Sequence, residues 1–243
     1  MSNSFFQFKQ FTINQDRCAM KVTTDACLFG AWVAGEINNE ELIINNLLDV
    51  GTGTGLLSLM IVQKTGFSID AIEIENGSFE QGKENIESSP WNDRINIFYE
   101  DAKKFRPSHH YDVIISNPPF YENELKSEDE KRNIALHGNE LTFEDLLKTI
   151  DSNLSSDGTF FILLPYKRQD EIRKIFQKYQ FSLSKMIFVR QSIKHDYFRM
   201  MIMGKKKSTE PIETAFDEIS IWDEKQQYTK QFTELLKDYY LYL

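Results

Sequence analysis

The segment Asn117-Pro118-Pro119-Phe120 has residue types suited to holding an amino group on a flat ring. It follows the apolar run 113–116, which predicts a buried strand. Two successive prolines fix φ and remove two N–H donors, so the turn after this strand is stiff. The Asn117 side chain and the Pro118 main chain each offer a carbonyl acceptor, and Phe120 offers a face for stacking a base. Two acceptors on an exocyclic amine would direct its lone pair toward an electrophile.

A second motif, Asp49-Val50-Gly51-Thr52-Gly53-Thr54-Gly55, joins an apolar strand to a helix-forming run. Gly51, Gly53 and Gly55 permit a tight turn and the close approach of a ligand to main-chain N–H groups at the helix start. Their GxGxG spacing differs from the GxGxxG of dinucleotide sites. Asp49 on the strand is unsuited to a pyrophosphate, but it suits a cationic ligand such as a sulfonium amino acid.

Carboxylates follow the next two predicted strands. Glu73 and Glu75 alternate at the end of the second strand, and either could accept hydrogen bonds from both hydroxyls of a ribose. Spacing does not choose between them, and we prefer Glu73 because it lies nearer the apolar part of the strand. Asp101 closes the third strand, where it could accept a hydrogen bond from an adenine amino group or form a polar turn.

Short apolar runs alternate with helix-forming stretches from residue 47 onward, which predicts an α/β fold with a doubly wound, mostly parallel sheet. Two further β-rich runs, 182–191 and 197–203, are close enough to form an antiparallel hairpin at the C-terminal side. The polar stretch 121–139 is a candidate lid. The predicted strands are 47–50, 68–74, 95–99, 113–116 and 159–164, and the predicted helices are 25–34, 56–64, 78–86, 143–153, 168–179 and 227–241.

The composition is that of a globular protein with one domain. The chain has 243 residues, of which 41% are hydrophobic. We divide it into a leader (1–40), a core (41–207) and a C-terminal extension with a helix (208–243). No apolar run approaches the roughly 20 residues that cross a bilayer, and Cys18 and Cys27 form no CxxC pair. We therefore expect a cytoplasmic monomer without a membrane span, a disulfide framework or a metal site.

Basic residues are concentrated in one part of an acidic chain. The net charge is -9, yet residues 164–207 contain 12 Lys and Arg against three acids. This asymmetry predicts a basic face that binds RNA phosphates, although an ordinary solvated surface is an open alternative. The candidate RNA contacts are Lys167, Arg168, Lys185, Arg190, Lys194, Arg199 and Lys205.

The order of the glycine motif, the acidic strand end and Asn-Pro-Pro-Phe resembles the class I S-adenosylmethionine-dependent methyltransferases. Asn-Pro-Pro-aromatic resembles in particular the enzymes that methylate amino groups of adenine, guanine or glutamine. The leader segments 6–11 and 21–32 and the tail 228–241 are similar to the bacterial family that methylates N6 of the adenosine 3′ of the anticodon in valine tRNA. The resemblance covers almost the whole chain and implies a Rossmann-like sheet, S-adenosylmethionine as cofactor and tRNA as substrate.

The resemblance also implies roles for individual residues. Those implied to hold the target amine are Asn117, Pro118, Pro119 and Phe120. Those implied to bind the cofactor are Lys21, Thr23, Asp25, Asp49, Gly51, Gly53, Gly55, Glu73, Asp101, Ala102 and Asn117. One departure is that Glu rather than Asp stands at the ribose-binding position of the second strand.

Other functions stay open on the sequence. The same motifs would serve a guanine-N2 methyltransferase of ribosomal RNA or a glutamine methyltransferase of release factors. The basic run favours RNA over protein as substrate. A non-enzymatic nucleotide-binding module is the alternative of another class, and the GxGxG spacing disfavours a dehydrogenase.

Overall fold

The computed structural model describes residues 3–18, 20–39, 44–119, 141–206 and 213–243. Phe120 and the predicted lid 121–139 lie outside the described residues. In chain order the elements are β1 (Phe5–Gln7), β2 (Thr12–Asn14), α1 (Thr24–Asn39), β3 (Asn46–Val50), α2 (Leu56–Val62), β4 (Ser68–Glu73), α3 (Asn76–Glu87), β5 (Ile95–Tyr99), β6 (Tyr111–Ser116), α4 (Phe143–Asn153), β7 (Leu154–Pro165), α5 (Gln169–Lys178), β8 (Ser182–Ser192), β9 (Tyr197–Lys205), β10 (Ala215–Trp222) and α6 (Lys230–Leu236).

Eight of the strands form a central sheet in the order β10-β8-β9-β7-β6-β3-β4-β5. Neighbouring strands are parallel except that β9 runs antiparallel to both β7 and β8. The doubly wound sheet and the antiparallel β8–β9 hairpin predicted from the sequence are therefore confirmed. Because parallel strands end on the same side, the turns after β3, β4, β5 and β6 meet at one edge of the sheet. We call it the carboxyl edge.

Each face of the sheet packs against its own set of helices. On one face, α1, α2 and α6 cover side chains such as Leu47 and Ile115. On the other, α4 and α5 cover side chains such as Leu48 and Ile114. Successive strand residues alternate between faces, so strands covered on both sides are mostly apolar, with Asp49 and Glu73 as buried exceptions near the ends of β3 and β4. No helix among the described residues is long and apolar enough to cross a membrane.

The C-terminal helix is shorter than the predicted 227–241. It begins after Thr229, whose side chain accepts a hydrogen bond from a main-chain N–H of the first turn. It ends at Leu236, where the main-chain N–H of Tyr239 turns back to the Leu236 carbonyl. The Tyr239 hydroxyl then donates to the carbonyl of Met60 in α2 at 3.0 Å. The tail is thus fixed by packing against α2 rather than by continued helix.

Two strand regions were not predicted. β10 pairs in parallel with β8 at the edge of the sheet, and it buries Ile219 and Ile221 while its first four residues are exposed. Its acidic, half-covered pattern lacks the apolar run that identified the inner strands. β1 and β2 form a separate two-stranded antiparallel sheet of three residues per strand, too short for a periodic signal.

Helix α3 lies against the loop that follows β3, and Gly82 permits this approach. A Cβ at Gly82 would lie 2.5 Å from the Gly53 carbonyl oxygen and 3.1 Å from Ile97. One turn away, the Asn85 side-chain amide donates to the Thr54 carbonyl at 2.9 Å. The glycine loop is therefore held from one side by α3.

We expect Gly82→Ala to lower the free energy of unfolding by about 1–3 kcal/mol, because the added methyl group would overlap a main-chain oxygen. Gly35 in α1 is a matched control, since a Cβ there would meet nothing within 4 Å. Gly35→Ala should raise the free energy of unfolding by up to about 1 kcal/mol through helix propensity. Urea unfolding measures both effects, and stabilisation by both substitutions would contradict the close approach of α3.

Candidate active site

The three glycines between β3 and α2 have left-handed backbone conformations. The φ angles of Gly51, Gly53 and Gly55 are 73°, 57° and 80°. A Cβ at Gly51 or Gly53 would meet nothing within 4 Å, whereas at Gly55 it would lie 3.3 Å from Ile86. Gly51 and Gly53 therefore border open space at the carboxyl edge, and Gly55 also serves the packing of α3.

Asp49 is a buried acid near the end of β3. Its Oδ2 accepts hydrogen bonds from the hydroxyls of Thr52 and Ser58, both at 2.7 Å. Its Oδ1 is also buried and has no hydrogen-bond partner among the described residues. Burial, with a smaller contribution from the charge of Glu73, raises the pKa of the Asp49 carboxyl to about 6. An unused buried oxygen of this kind is suited to a cationic donor.

Glu73 and Glu75, which the spacing left as alternatives, have different environments. Glu73 is buried at the end of β4, and its Oε2 accepts a hydrogen bond from the Gly53 N–H at 2.9 Å. Glu75 is the N-cap of α3, and it accepts from the N–H groups of Gly77 and Ser78 at 2.9 and 2.6 Å. These two bonds hold the pKa of Glu75 below its usual value. Glu73 thus joins β4 to the glycine loop, while Glu75 is used by the helix.

Asp101 and Ala102 follow β5. The Asp101 Oδ1 accepts from the main-chain N–H two residues later at 2.9 Å, which forms a polar turn. The N–H of Glu100 donates to the Glu73 carbonyl at 3.0 Å, so this turn lies beside the end of β4. Ala102 is buried, and its carbonyl accepts from the Thr149 hydroxyl at 3.2 Å.

Asn117 and the two prolines follow directly on β6, the strand next to β3. The Ser116 hydroxyl at the end of β6 donates to the Val50 carbonyl at the end of β3, at 2.8 Å in a buried setting. Asn117 and Gly51 therefore begin neighbouring turns, with backbones on the order of 5 Å apart. Asn117 is half-buried, and its side chain makes no hydrogen bond with another described residue. The first proline is buried and the second exposed.

The leader residues Lys21, Thr23 and Asp25 precede or begin α1. The buried Asp25 accepts from the Nε of Arg199 at 2.6 Å. Arg199 is in register with Pro165, the last residue of β7, so this ion pair holds the start of α1 at the carboxyl edge. The Thr23 hydroxyl oxygen accepts from a main-chain N–H of the first turn at 3.4 Å. Lys21 is exposed and donates to a main-chain carbonyl within the leader at 3.4 Å.

The structure separates the seven basic residues predicted to contact RNA. Four form ion pairs, namely Arg168 with Glu171, Lys185 with Glu36, Arg190 with Glu218 and Arg199 with Asp25. Lys205 lies at the opposite edge of the sheet beside Thr159, because the antiparallel β9 ends there. Lys167 and Lys194 are exposed, and neither forms an ion pair with an acid among the described residues. The seven residues do not form one continuous face.

Three residues that position the site were not identified from the sequence. Ser58 binds Asp49, Ser116 ties β6 to β3, and Gly82 admits α3 to the glycine loop. Each departs from a regular pattern, since Ser58 is polar within an apolar run, Ser116 ends one, and Gly82 is a glycine within a helix. Such departures are the signal by which they could have been found.

The carboxyl edge therefore brings two different sets of groups together. Around the glycine loop lie a buried acid with an unused oxygen, a second acid and open space, which suit a ligand with cationic and hydroxyl groups. Beside it, Asn117 and Pro118 have carbonyl oxygens that can accept from an amino group. The two sets are adjacent because β3 and β6 are neighbours in the sheet.

Comparisons with known proteins agree with this arrangement. The family model described as methyltransferase small domain matches residues 35–188. The chain is 38% identical over 241 residues to a protein of Dyadobacter fermentans named tRNA1(Val) (adenine(37)-N6)-methyltransferase, covering 98% of each chain. It is 36% identical over 246 residues to a protein of the same name from Bacteroides thetaiotaomicron, covering 100% of each.

A solved structure shares the fold. It is a predicted O-methyltransferase from Agrobacterium tumefaciens, with a TM-score of 0.67 and 16% sequence identity. The match covers 88% of this chain and 96% of that one. At this identity the likeness concerns the fold alone.

The raised pKa of Asp49 predicts that this group increases the free energy of unfolding as the pH is lowered. The folded state holds the Asp49 proton up to a pH of about 6, whereas the unfolded chain loses it near pH 4. Stability from this group therefore increases as the pH falls from 6 toward 4. Between pH 7.5 and 5 the free energy of unfolding should gain on the order of 1 kcal/mol from it.

Asp49→Asn should lack this gain. Urea unfolding of the wild-type chain and of this variant is measured at both pH values without added ligand. The contribution of Asp49 is the pH-induced change in the free energy of unfolding of the wild type minus that of the variant. An identical pH dependence of the two proteins would show that Asp49 is already ionised in the folded state at pH 5.

Proposed function

The chain belongs to the methyltransferase small-domain family and is an S-adenosylmethionine-dependent methyltransferase, and we propose that its substrate is N6 of the adenosine next to the anticodon of valine tRNA. The observation that carries the chemistry is the position of Asn117 and Pro118 directly beside the glycine loop, in the turns that follow two neighbouring strands. The full-length relatives support the tRNA substrate, since both are named for this reaction.

The residues around the glycine loop fit the cofactor. The unused Oδ1 of Asp49 is an acceptor for the ammonium group of its amino-acid part. The open space beside Gly51 and Gly53 admits a ligand close to the main chain. Glu73 is buried at the neighbouring strand end, and its carboxylate accepts from the main-chain N–H groups of Gly53, Ile74 and Glu75, each at 2.9 Å. It would accept from the ribose hydroxyls through its remaining acceptor position on Oε2 and by exchanging some of these main-chain bonds. Bound S-adenosylmethionine supplies an electrophilic methyl group on a sulfonium.

The remaining cofactor contacts follow the order of the strands. Asp101 and Ala102, in the turn after β5, would contact the adenine of the cofactor. Lys21, Thr23 and Asp25 would close the pocket from the leader, and the Asp25–Arg199 ion pair supports this by holding the start of α1 at the carboxyl edge. None of these roles requires a metal, and we propose that the protein acts without one, as a monomer in the cytoplasm.

Asn117 and Pro118 would act on the target amine. The adenine amino group is a poor nucleophile because its lone pair is conjugated with the ring. Two carbonyl acceptors on its hydrogens would make the nitrogen more tetrahedral and stabilise the positive charge that develops on it. The prolines keep these acceptors fixed, and Phe120 would stack on the unstacked base. Holding the nitrogen in line with the methyl group supplies much of the remaining rate enhancement.

Incubation with labelled S-adenosylmethionine and total tRNA from a strain that lacks the enzyme tests the proposal. Nucleoside analysis should find the label in N6-methyladenosine of valine tRNA. Labelled methylguanosine in ribosomal RNA, or labelled glutamine in a release factor, would instead establish one of the alternative substrates.

In the same assay, Asn117→Ala should lower kcat by about 100- to 1,000-fold, the effect typical of losing one preorganised electrostatic contact. Binding of S-adenosylmethionine should change little. Asn92→Ala, at an exposed position in the turn before β5, is the control and should keep full activity. Full activity of Asn117→Ala would exclude the proposed role of this amide.

Glu73 and Glu75 give a matched pair of variants. Glu73→Gln should weaken S-adenosylmethionine binding by about 10- to 100-fold, because charge-assisted hydrogen bonds to the ribose are lost. Glu75→Gln should leave that affinity nearly unchanged but lower the free energy of unfolding by about 0.5–2 kcal/mol, since Glu75 caps α3. Calorimetric titration and urea unfolding separate the two effects. The reverse pattern would assign the ribose to Glu75.

A further inference from the structure

Four aromatic side chains form a cluster near the carboxyl edge, on the face of the sheet that carries α4 and α5. Tyr166 follows β7, Tyr197 begins β9, Phe188 lies in β8 and Phe216 lies in β10. The ring centroids of Tyr166, Tyr197 and Phe188 are 5.3 to 5.4 Å apart, and Phe216 stacks on Phe188 at 6.2 Å. We call these four residues the aromatic cluster.

The outer side of the aromatic cluster is open. Helix α5 packs through Ile172 and Phe176 against the central part of this face. Strand β10 contacts β8 and α6, and α6 belongs to the opposite face. Among the described residues, no helix of this face packs closely against β10, although Met186 of β8 is buried in the same cluster as Ile172 and Phe176. Phe216 is 55% exposed, and the rings of Tyr166, Phe188 and Tyr197 are half-buried beside it, so the four form one contiguous aromatic patch rather than a lone exposed side chain.

Exposed charges of both signs lie near the aromatic cluster, and the two lysines among them can bind an anionic partner. The acids include Asp196, which precedes Tyr197, and Asp170, in the first turn of α5. Lys167 adjoins Tyr166 in sequence, and Lys194 lies in the turn between β8 and β9; these are the two predicted RNA contacts without an ion pair among the described residues. Glu218 carries the opposite charge, but it is neutralised by Arg190 at 2.6 Å and accepts a hydrogen bond from the Tyr197 hydroxyl. The same guanidinium lies 5.3 Å from the Tyr197 ring centroid.

Measured along the strands, the aromatic cluster also lies at or beyond the level of the proposed active site. Ser116, the last residue of β6, is in register with Ile162 of β7. β7 continues for three more residues to Pro165, so Tyr166 stands on the order of 10 Å beyond the end of β6. A surface in this position borders the path of a substrate that enters beside Asn117.

We infer that the aromatic cluster is a stacking surface for unpaired bases of the RNA loop that carries the target adenosine, with Lys167 and Lys194 on its phosphates. The inference rests on the proposed function for the identity of the RNA. Aromatic rings accept any base face, and lysines beside them bind the backbone, which is how proteins commonly hold single-stranded RNA. The sheet fixes the rings in advance, so little side-chain entropy is lost on binding.

Phe216 is the best position to test, because its exposed ring contributes little to folding. Phe216→Ala should raise the Kd for unmodified valine tRNA, measured with S-adenosylhomocysteine present, about tenfold. The KM for tRNA should rise with it, while kcat and the Kd for S-adenosylmethionine stay unchanged. Phe216→Trp should restore binding. Lys194→Ala should reduce the slope of log Kd against log salt by about one.

The matched control is Phe5→Ala, since Phe5 is 51% exposed on the small β1–β2 sheet. It should bind tRNA as the wild type does. If Phe216→Ala also binds tRNA normally while N6-methyladenosine is formed, the stacking surface is refuted and the proposed function stands. If tRNA binding depends on Phe216 but another nucleoside is methylated, the surface stands and the substrate assignment falls. A change of molecular mass in solution for Phe216→Ala, without loss of tRNA affinity, would show that a second copy of the chain covers the cluster.

Discussion

The parallel pairing of β3 with both β4 and β6 is the constraint on which the site depends. It places the glycine loop between the turn that carries Glu73 and the turn that carries Asn117. Two hydrogen bonds fix the ends of these strands, from Ser116 to Val50 and from Gly53 to Glu73. A register shift by one residue would exchange the faces of β3 and separate Asp49 from Ser58. The cofactor and amine subsites are therefore adjacent because of backbone register, before any ligand binds.

The central part of the fold and of the site could be predicted because its signals are local. The glycine loop directly follows an apolar strand, and Asn117 with its prolines directly follows another. In an alternating α/β chain, such turns come to the same edge of the sheet. The spacing of Glu73 and Glu75 could not show which of them faces the ligand, because this depends on which carboxylate caps the start of α3.

The positions of the basic residues could not be predicted, because they depend on partners far apart in the sequence. Arg199 pairs with Asp25, 174 residues away, and Lys185 pairs with Glu36, 149 residues away. A β-bulge in β9 also affects where these side chains lie. Phe198 is the extra residue, between the pairs Val189–Arg199 and Arg190–Tyr197. In the sequence these basic residues fall in one segment. In the structure, their ion-pair partners and the direction of β9 distribute them over two edges of the sheet.

This distribution changes how an acidic protein can bind RNA. The net charge is -9, and several cations of the basic region are neutralised by carboxylates within the fold. Affinity based on counterion release needs many unpaired cations. Of the seven residues predicted to contact RNA, only Lys167 and Lys194 lie at the carboxyl edge without an ion pair to a described acid. Stacking on aromatic rings contributes affinity without requiring net positive charge. A partly exposed aromatic cluster flanked by few cations is therefore a physically consistent way for this acidic chain to hold a single-stranded loop.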